Sequence, residues 1–410
     1  MKFFFRIINW GIQKGLNTMA YTVTTTRSYG QRLKSAITGV VGGFFMFIGG
    51  TILLFFNEGN FVKERKAINE TQKIAVHVED VSQVNPEYNG KTIHASAFAD
   101  TKDTLTDSLF GVNAVAIGLN RKVEYFQYEE HSSSQKRDKI GGGEETVTTY
   151  TYEKAWTSEP VNSREFKDPD YQMSNEVLTT VPDKKQLVAN VTFGAYKLPA
   201  FLISSIRGDT PSTPALTETM LEEWAKQLRG TNMVHVTGNV VYFGNSPTTP
   251  TVGDLRITLT QTMPANVSLI AKVNGQTFEK FVASNGREFS RLDMGTLGMD
   301  AMFAKAHSEN AMLLWILRIV GILLVIFGLR GIFGIITALL KVLPFLANIV
   351  GLGIGIVCFM LGLSWSLLVI STAWLIYRPL IGLPLLIASI ALIFLLKKKA
   401  AGATPAPPSP

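Results

Sequence analysis

Long apolar runs lie at the two ends of the chain, and shorter alternations of apolar and polar positions fill the middle. Ala36–Phe56 is 21 residues without a charge, enough to cross a hydrocarbon core about 30 Å thick. It is too long for a signal peptide and no small-residue cleavage pattern follows it, so it reads as an uncleaved anchor. The last hundred residues supply three more apolar stretches, at 311–334, 346–370 and 379–396. Arg378-Pro379 divides the last two, because proline cannot donate a helix hydrogen bond. The pattern predicts a polytopic α-helical membrane protein with four spans.

Residues 57–310 have a different rhythm, mainly of short β segments. Lys73–Val81, Thr92–Ala99, Asn113–Ile117, Leu187–Tyr196, Met233–Phe243 and Leu255–Gln261 have strand composition. Val123–Glu129 and Val147–Trp156 predict a hairpin closed by the polar loop His131–Thr146. Asn274-Gly275, between Ser268–Val273 and Thr277–Val282, is the strongest local hairpin signal. Thr217–Leu228 is an amphipathic helix, and Asp300–His307 starts a helix running into the second span. The expected class is a large β-rich α+β extracytoplasmic domain attached to membrane helices.

Charge orients this arrangement. The net charge of +7 suggests an acidic partner until it is divided along the chain. Residues 1–35 carry +6 and residues 311–410 carry +7, neither with any acid, whereas 57–310 hold 26 basic and 32 acidic residues. A nucleic-acid-binding domain needs its positive charge on the folded surface, so no nucleic acid is expected as a partner. The positive-inside rule puts both termini in the cytoplasm. The expected domains are a basic N-terminal segment (1–35), the first span (36–56), the extracytoplasmic domain (57–310), three spans (311–396) and a basic, then Pro-rich tail (397–410). Residues 1–18 read either as a basic amphipathic helix at the bilayer surface or as sequence upstream of a start at Met19.

Few residues invite chemistry. His77, His94, His131, His235 and His307 show no metal-ligand spacing, and Cys358 is alone, so no metal, cofactor or catalytic residue is assigned. Arg318 lies inside a span, where a charge is costly; it either snorkels to the interface or faces the bundle and pairs with a polar group. Gly39-x-x-x-Gly43 suits close approach of another helix, and Gly351 and Gly355 suit helix packing. Asn57-Glu58-Gly59 marks the exit of the first span, and Arg378-Pro379 a turn between spans. Gly253, Asp254 and Arg256 suggest a turn locked by a carboxylate–guanidinium clamp.

In order along the chain, several short motifs resemble the transmembrane protein 43 (LUMA) family. They are Asn57-Glu58-Gly59, Val123-Glu124 with Gln127, Tyr150 and Tyr152, Trp156, Ser158-Glu159, and Asn162-Ser163 with Phe166. Val252-Gly253-Asp254-Leu255-Arg256 is the most distinctive. Trp315, Leu317-Arg318, Gly321, Gly328-Leu329, Pro344, Trp374-Leu375 and Tyr377-Arg378-Pro379-Leu380 continue the match. The resemblance implies four spans, one large lumenal or extracytoplasmic domain, self-association, and a membrane-organising rather than enzymatic role. Eukaryotic members reside in the endoplasmic reticulum and inner nuclear membrane and bind lamins and emerin. This chain looks like a bacterial member, in the cell membrane, to which lamin and emerin binding does not carry over.

The expected function is an integral membrane scaffold that self-associates, with the lipid bilayer and a second copy as partners and other membrane proteins unspecified. A transporter or channel component is the alternative, motivated by Arg318. An extracytoplasmic hydrolase ranks below it, since no catalytic signature is present.

Overall fold

A computed structural model describes residues 20–228, 233–380, 382–384 and 387. The chain forms two compact units that interleave along the sequence. The first takes residues up to Thr26, then Ala97–Arg137 and Glu145–Val267; the second takes Arg27–Ser96, Asp138–Glu144 and the residues from Ser268 onward.

The second unit is built on three long helices: Tyr29–Ile74, Met299–Leu340 and Pro344–Tyr377. Among the described residues these three, not four, are long and apolar enough to cross a membrane. Most of the expected fourth span, 379–396, lies outside the described residues, as does the N-terminal segment 1–19.

The first helix opens with a capping box. Gln31 N–H donates to Ser28 Oγ and Ser28 N–H donates to Gln31 Oε1, which satisfies two otherwise orphaned donors. It then runs 46 residues, about 69 Å at 1.5 Å per residue, so it extends well past the apolar stretch. The expected strand at 73–81 shrinks to Val76–His77, paired parallel with Ile93–His94. The helix continues because Asn57, Phe61, Ile68 and Thr71 keep a helical spacing on one buried face. Ile68 there packs with Ile270, Phe289, Met302, Phe303 and Ala306.

Glycine sets how closely the first two helices approach. A Cβ on Gly43 would lie 2.6 Å from the Gly328 carbonyl oxygen and 2.8 Å from Ile332 N. A Cβ on Gly50 would lie 2.9 Å from the Gly321 carbonyl oxygen. Backbone thus meets backbone at these turns, and no side chain fits between. Leu54, Val325 and Val369 form the apolar centre of the bundle.

The first unit is a sheet with strand order Tyr21–Arg27, Glu144–Thr157, Gly118–Asp138, Leu255–Thr262, Val240–Phe243, Val234–Thr237. The central pairing runs antiparallel from Leu255 opposite Tyr125 to Thr262 opposite Gly118. Leu255, Ile257 and Leu259 alternate onto one fully buried face, as a two-residue repeat requires. The helix Glu218–Leu228 covers that face with Trp224, whose ring lies 4.7 Å from that of Phe243.

The hairpin is longer than expected. Strand character continues to Asp138 and resumes at Glu144, so the predicted loop 131–146 contracts to five residues. Gly141 and Gly142 hold positive φ there and make the turn. This tip belongs to the second unit, where Asp138 pairs with Arg32 Nη2 at 2.8 Å and with Lys341 Nζ. Arg32 Nη1 also donates to the Gly142 and Gly143 carbonyls. The charge count places Arg32 and Lys341 on one side of the bilayer and Asp138 on the other. In the structure Asp138 contacts both cations, an arrangement that this division does not allow.

Candidate functional site

Asn57-Glu58-Gly59 does not end the first helix. It forms the place where all three long helices meet. Asn57 Nδ2 donates to the Leu314 carbonyl of the second helix at 3.1 Å. Gly59 faces the third, where a Cβ would sit 2.6 Å from the Tyr377 ring. Three consecutive residues are buried because this helix is flanked on two sides.

Between them, Glu58 is 0% exposed and Arg318 7%. Arg318 Nε donates to Glu58 Oε1 at 2.5 Å and Nη2 to Oε2 at 2.9 Å, a two-pronged guanidinium–carboxylate pair. Trp374 Nε1 of the third helix donates to Glu58 Oε2 at 2.8 Å. The guanidinium carbon lies 4.7 Å from the Trp315 ring centre and 5.6 Å from that of Trp374, so aromatic faces cover the cation. Arg318 therefore faces the bundle. Sequence showed that an intramembrane charge existed; its partner, 260 residues away, carried no local signal.

Arg378 stands beside this cluster. The third helix ends at Tyr377, and Arg378 leaves helical geometry before Pro379. Its guanidinium lies 4.6 Å over Phe61 and 5.5 Å from the Trp374 ring centre. Its Nη2 is buried and has no hydrogen-bond partner among the described residues.

The glycines divide. Gly43 packs against the second helix of its own chain, so the Gly39/Gly43 spacing serves intramolecular packing. Gly39 itself has open space at its Cβ position, although its carbonyl would lie 3.0 Å from a Cβ on Gly331. Gly351 faces the Thr337 side chain at 3.3 Å, and no described residue lies within 4 Å of a Cβ on Gly355.

In the first unit the expected Asp254–Arg256 clamp does not form. Asp254 turns back on its own loop and accepts from Thr251 N–H at 2.7 Å, Thr251 Oγ1 at 3.0 Å and the Tyr242 hydroxyl. Burial, then this carboxylate, hold the Tyr242 phenol well above its usual pKa. Arg256 instead pairs across the sheet with Glu124 at 2.7 Å and stacks 4.4 Å over Trp156. The two side chains serve different partners because the turn claims one and the cross-strand register claims the other. Burial raises the Glu124 pKa, but hydrogen bonds from Lys122 and Arg256 outweigh it and leave the group below its ordinary value. Gly253 has φ +103°, and a Cβ there would lie 2.5 Å from the Glu176 carbonyl oxygen, so only glycine fits.

Two further groupings went unread in the sequence. Glu129, His131 and Glu153 bring three possible ligand atoms within 4.8 Å, with His131 Nε2 3.0 Å from Glu153. His131 and Glu153 are exposed, and the set forms only because the hairpin strands lie side by side. The second grouping is Arg65, Lys66 and Lys73 on the first helix. Its signal in the sequence is the helical spacing of residues 66 and 73 beyond Phe56.

The family model for transmembrane protein 43 matches residues 125–379. The chain is 27% identical over 383 residues to transmembrane protein 43 of Homo sapiens, covering 88% of this chain and 90% of that one. It is 28% identical to the Mus musculus protein over 85% and 87% of the two chains. To the transmembrane protein 43 homolog of Drosophila melanogaster it is 25% identical over 88% and 94%. No solved structure matches the chain.

Proposed function

The chain belongs to the transmembrane protein 43 family, and from that premise we propose that it is a non-enzymatic membrane scaffold that self-associates and holds its β-rich domain at the bilayer. The supporting observation is the state of Arg318. A conduction or transport pathway needs polar groups that face a passage and exchange partners. Here the guanidinium is sealed against Glu58 and two tryptophans, and it fastens three helices into a frame. The outward faces of that frame are apolar, with Phe45, Trp315, Leu352 and Ile356 all exposed, which suits lipid and a second copy.

Crosslinking of the full chain in native membranes, with mass photometry in nanodiscs, tests the reading. Particles of more than one copy are expected, and a strictly monomeric particle overturns it. Ion flux through liposomes that is lost on Arg318 substitution would favour transport instead.

For orientation, the positive-inside rule puts the end bearing Arg32, Arg330 and Lys341 in the cytoplasm. The expected extracytoplasmic placement of 57–310 and the Asp138 contacts make opposite demands on the hairpin tip. The exposed polar strand His131–Arg137 has no means of crossing lipid. Lys139→Cys and Leu343→Cys, each made with Cys358→Ser, separate the two. Impermeant maleimide reaching both from one side keeps the Asp138 contact and moves the domain boundary. Labelling from opposite sides keeps the boundary and shows that the contact is not made in the membrane.

A further inference from the structure

Beyond Phe56 the first helix leaves its apolar stretch and presents Arg65, Lys66, Asn69 and Lys73, all exposed. Residues 66, 69 and 73 follow helical spacing, so they share one face. Arg378 closes the other side of the same groove, whose volume is about 440 Å³. Among the described residues, four cations thus line it with one acid, Glu70. That carboxylate is already engaged, accepting from Ser284 N–H at 2.7 Å and Ser284 Oγ at 2.5 Å, and Lys66 approaches it only to 3.7 Å.

A second observation points to a ligand. Arg378 lies against the Phe61 and Trp374 rings, yet its buried Nη2 has no hydrogen-bond partner among the described residues. An unmet buried donor on a charged group costs about 1–3 kcal/mol or more, so such groups are normally paired. Its natural complement is a planar or tetrahedral oxyanion, which the guanidinium fork binds through two bonds. The larger cavity lined by Asn57, Arg287, Arg291 and Glu309 is different, because Arg291 is paired with Glu309 and Asp293, and Arg287 donates to Asn60.

The position of the groove selects the source of the oxyanion. Ile376 and Leu380, on either side of Arg378, are 59% and 91% exposed, and Phe56 is 57% exposed. The basic groove therefore begins where the lipid-facing apolar surface stops. Acyl chains would lie along these residues while a headgroup reached the cations.

We propose that Arg378, Arg65, Lys66 and Lys73 bind the headgroup phosphate of an anionic phospholipid at the bilayer boundary. The assignment goes beyond the scaffold reading and stands whether or not the chain self-associates.

Native mass spectrometry of the full chain, with phosphatidylglycerol or phosphatidylcholine added to the detergent, tests it. The expected result is retention of phosphatidylglycerol over phosphatidylcholine. Lys66→Gln/Lys73→Gln should weaken retention about fivefold per charge removed, the usual contribution of a basic residue near an anionic surface. Both positions are solvent-exposed, so this variant should keep the wild-type melting temperature even if Arg378→Gln does not fold. Equal retention of the two lipids, or no change in the variant, overturns the proposal. Displacement of the lipid by an equal concentration of inorganic phosphate assigns the groove to a soluble anion and overturns the lipid assignment.

Discussion

Among the described residues, each compact unit buries one arginine against one carboxylate. In the sheet unit, Arg121 Nη1 reaches both oxygens of Asp107 at 2.7 Å, Nε donates to the Pro182 carbonyl at 3.0 Å, and the cation lies 5.6 Å over Phe110. In the helical unit, Arg318 pairs with Glu58 under two tryptophans. The chemistry is the same, but the surroundings differ. Arg121 keeps a backbone acceptor if its carboxylate is lost, and a water-facing domain can admit solvent. Arg318, among the described residues, hydrogen-bonds to Glu58 alone and sits between helices whose outer faces are apolar. A buried pair is thus most costly to break where no second acceptor is within reach.

Glu58→Leu should therefore have the largest effect, with a loss of about 3–5 kcal/mol from an uncompensated buried charge. Thermal unfolding in detergent would show it as a large fall in Tm. The double variant Glu58→Leu/Arg318→Leu should recover most of that loss, since apolar replacement of a whole buried pair is often neutral. A double variant no better than the single one would show that the charge is not the source of the cost.

Asp107→Asn should cost less, about 2–3 kcal/mol, as a charge-assisted bond becomes a neutral one while Pro182 is retained. Chemical denaturation of the full chain, followed by tryptophan fluorescence, measures it. A loss equal to that of Glu58→Leu would erase the contrast between the units.

Tyr242→Phe removes one hydrogen bond to Asp254 and leaves the two from Thr251, so about 1–2 kcal/mol is expected in the same denaturation series. A neutral substitution would mean that Thr251 alone satisfies the carboxylate.

The smallest effect concerns pH. His94 Nδ1 lies 2.9 Å from His77 Nδ1, and His94 Nε2 lies 2.9 Å from the Leu297 carbonyl. Burial holds the His94 pKa below 6.5; the Leu297 bond opposes this and His77 adds to it. The folded state then resists a proton that the unfolded chain accepts. This stabilisation is complete above pH about 6.5 and is lost as pH falls below it. Tm should drop between pH 7 and 5, and His94→Gln should flatten that slope. An unchanged slope would remove His94 as its source.

Glu58 and Arg318 also show how legible the fold was. Three of the apolar stretches are evident because lipid contact demands unbroken runs, and the Asn274-Gly275 turn is evident because its geometry is local. Gly275 indeed has φ +60°. The extension of the first helix to Ile74 was missed because residues 57–74 are too polar to look like a span, although their helical periodicity was present. The Asp254–Arg256 clamp was misread because two residues two apart in a strand suggest each other, whereas each was claimed by a partner on another segment. Arg121 and Asp107 drew no notice, since charges in a polar, alternating stretch look solvated.

By itself the sequence determined that this chain enters a membrane, that its basic excess lies at the two ends, and that a β-rich region separates the spans. Those properties sum over neighbouring residues, and local composition carries them. Which charges meet was decided only by the tertiary structure. A hydrogen bond acts over about 3 Å, and folding brought Glu58 to Arg318, Asp138 to Arg32 and Lys341, and Arg378 to the basic face of the first helix across separations of 100 to more than 300 residues.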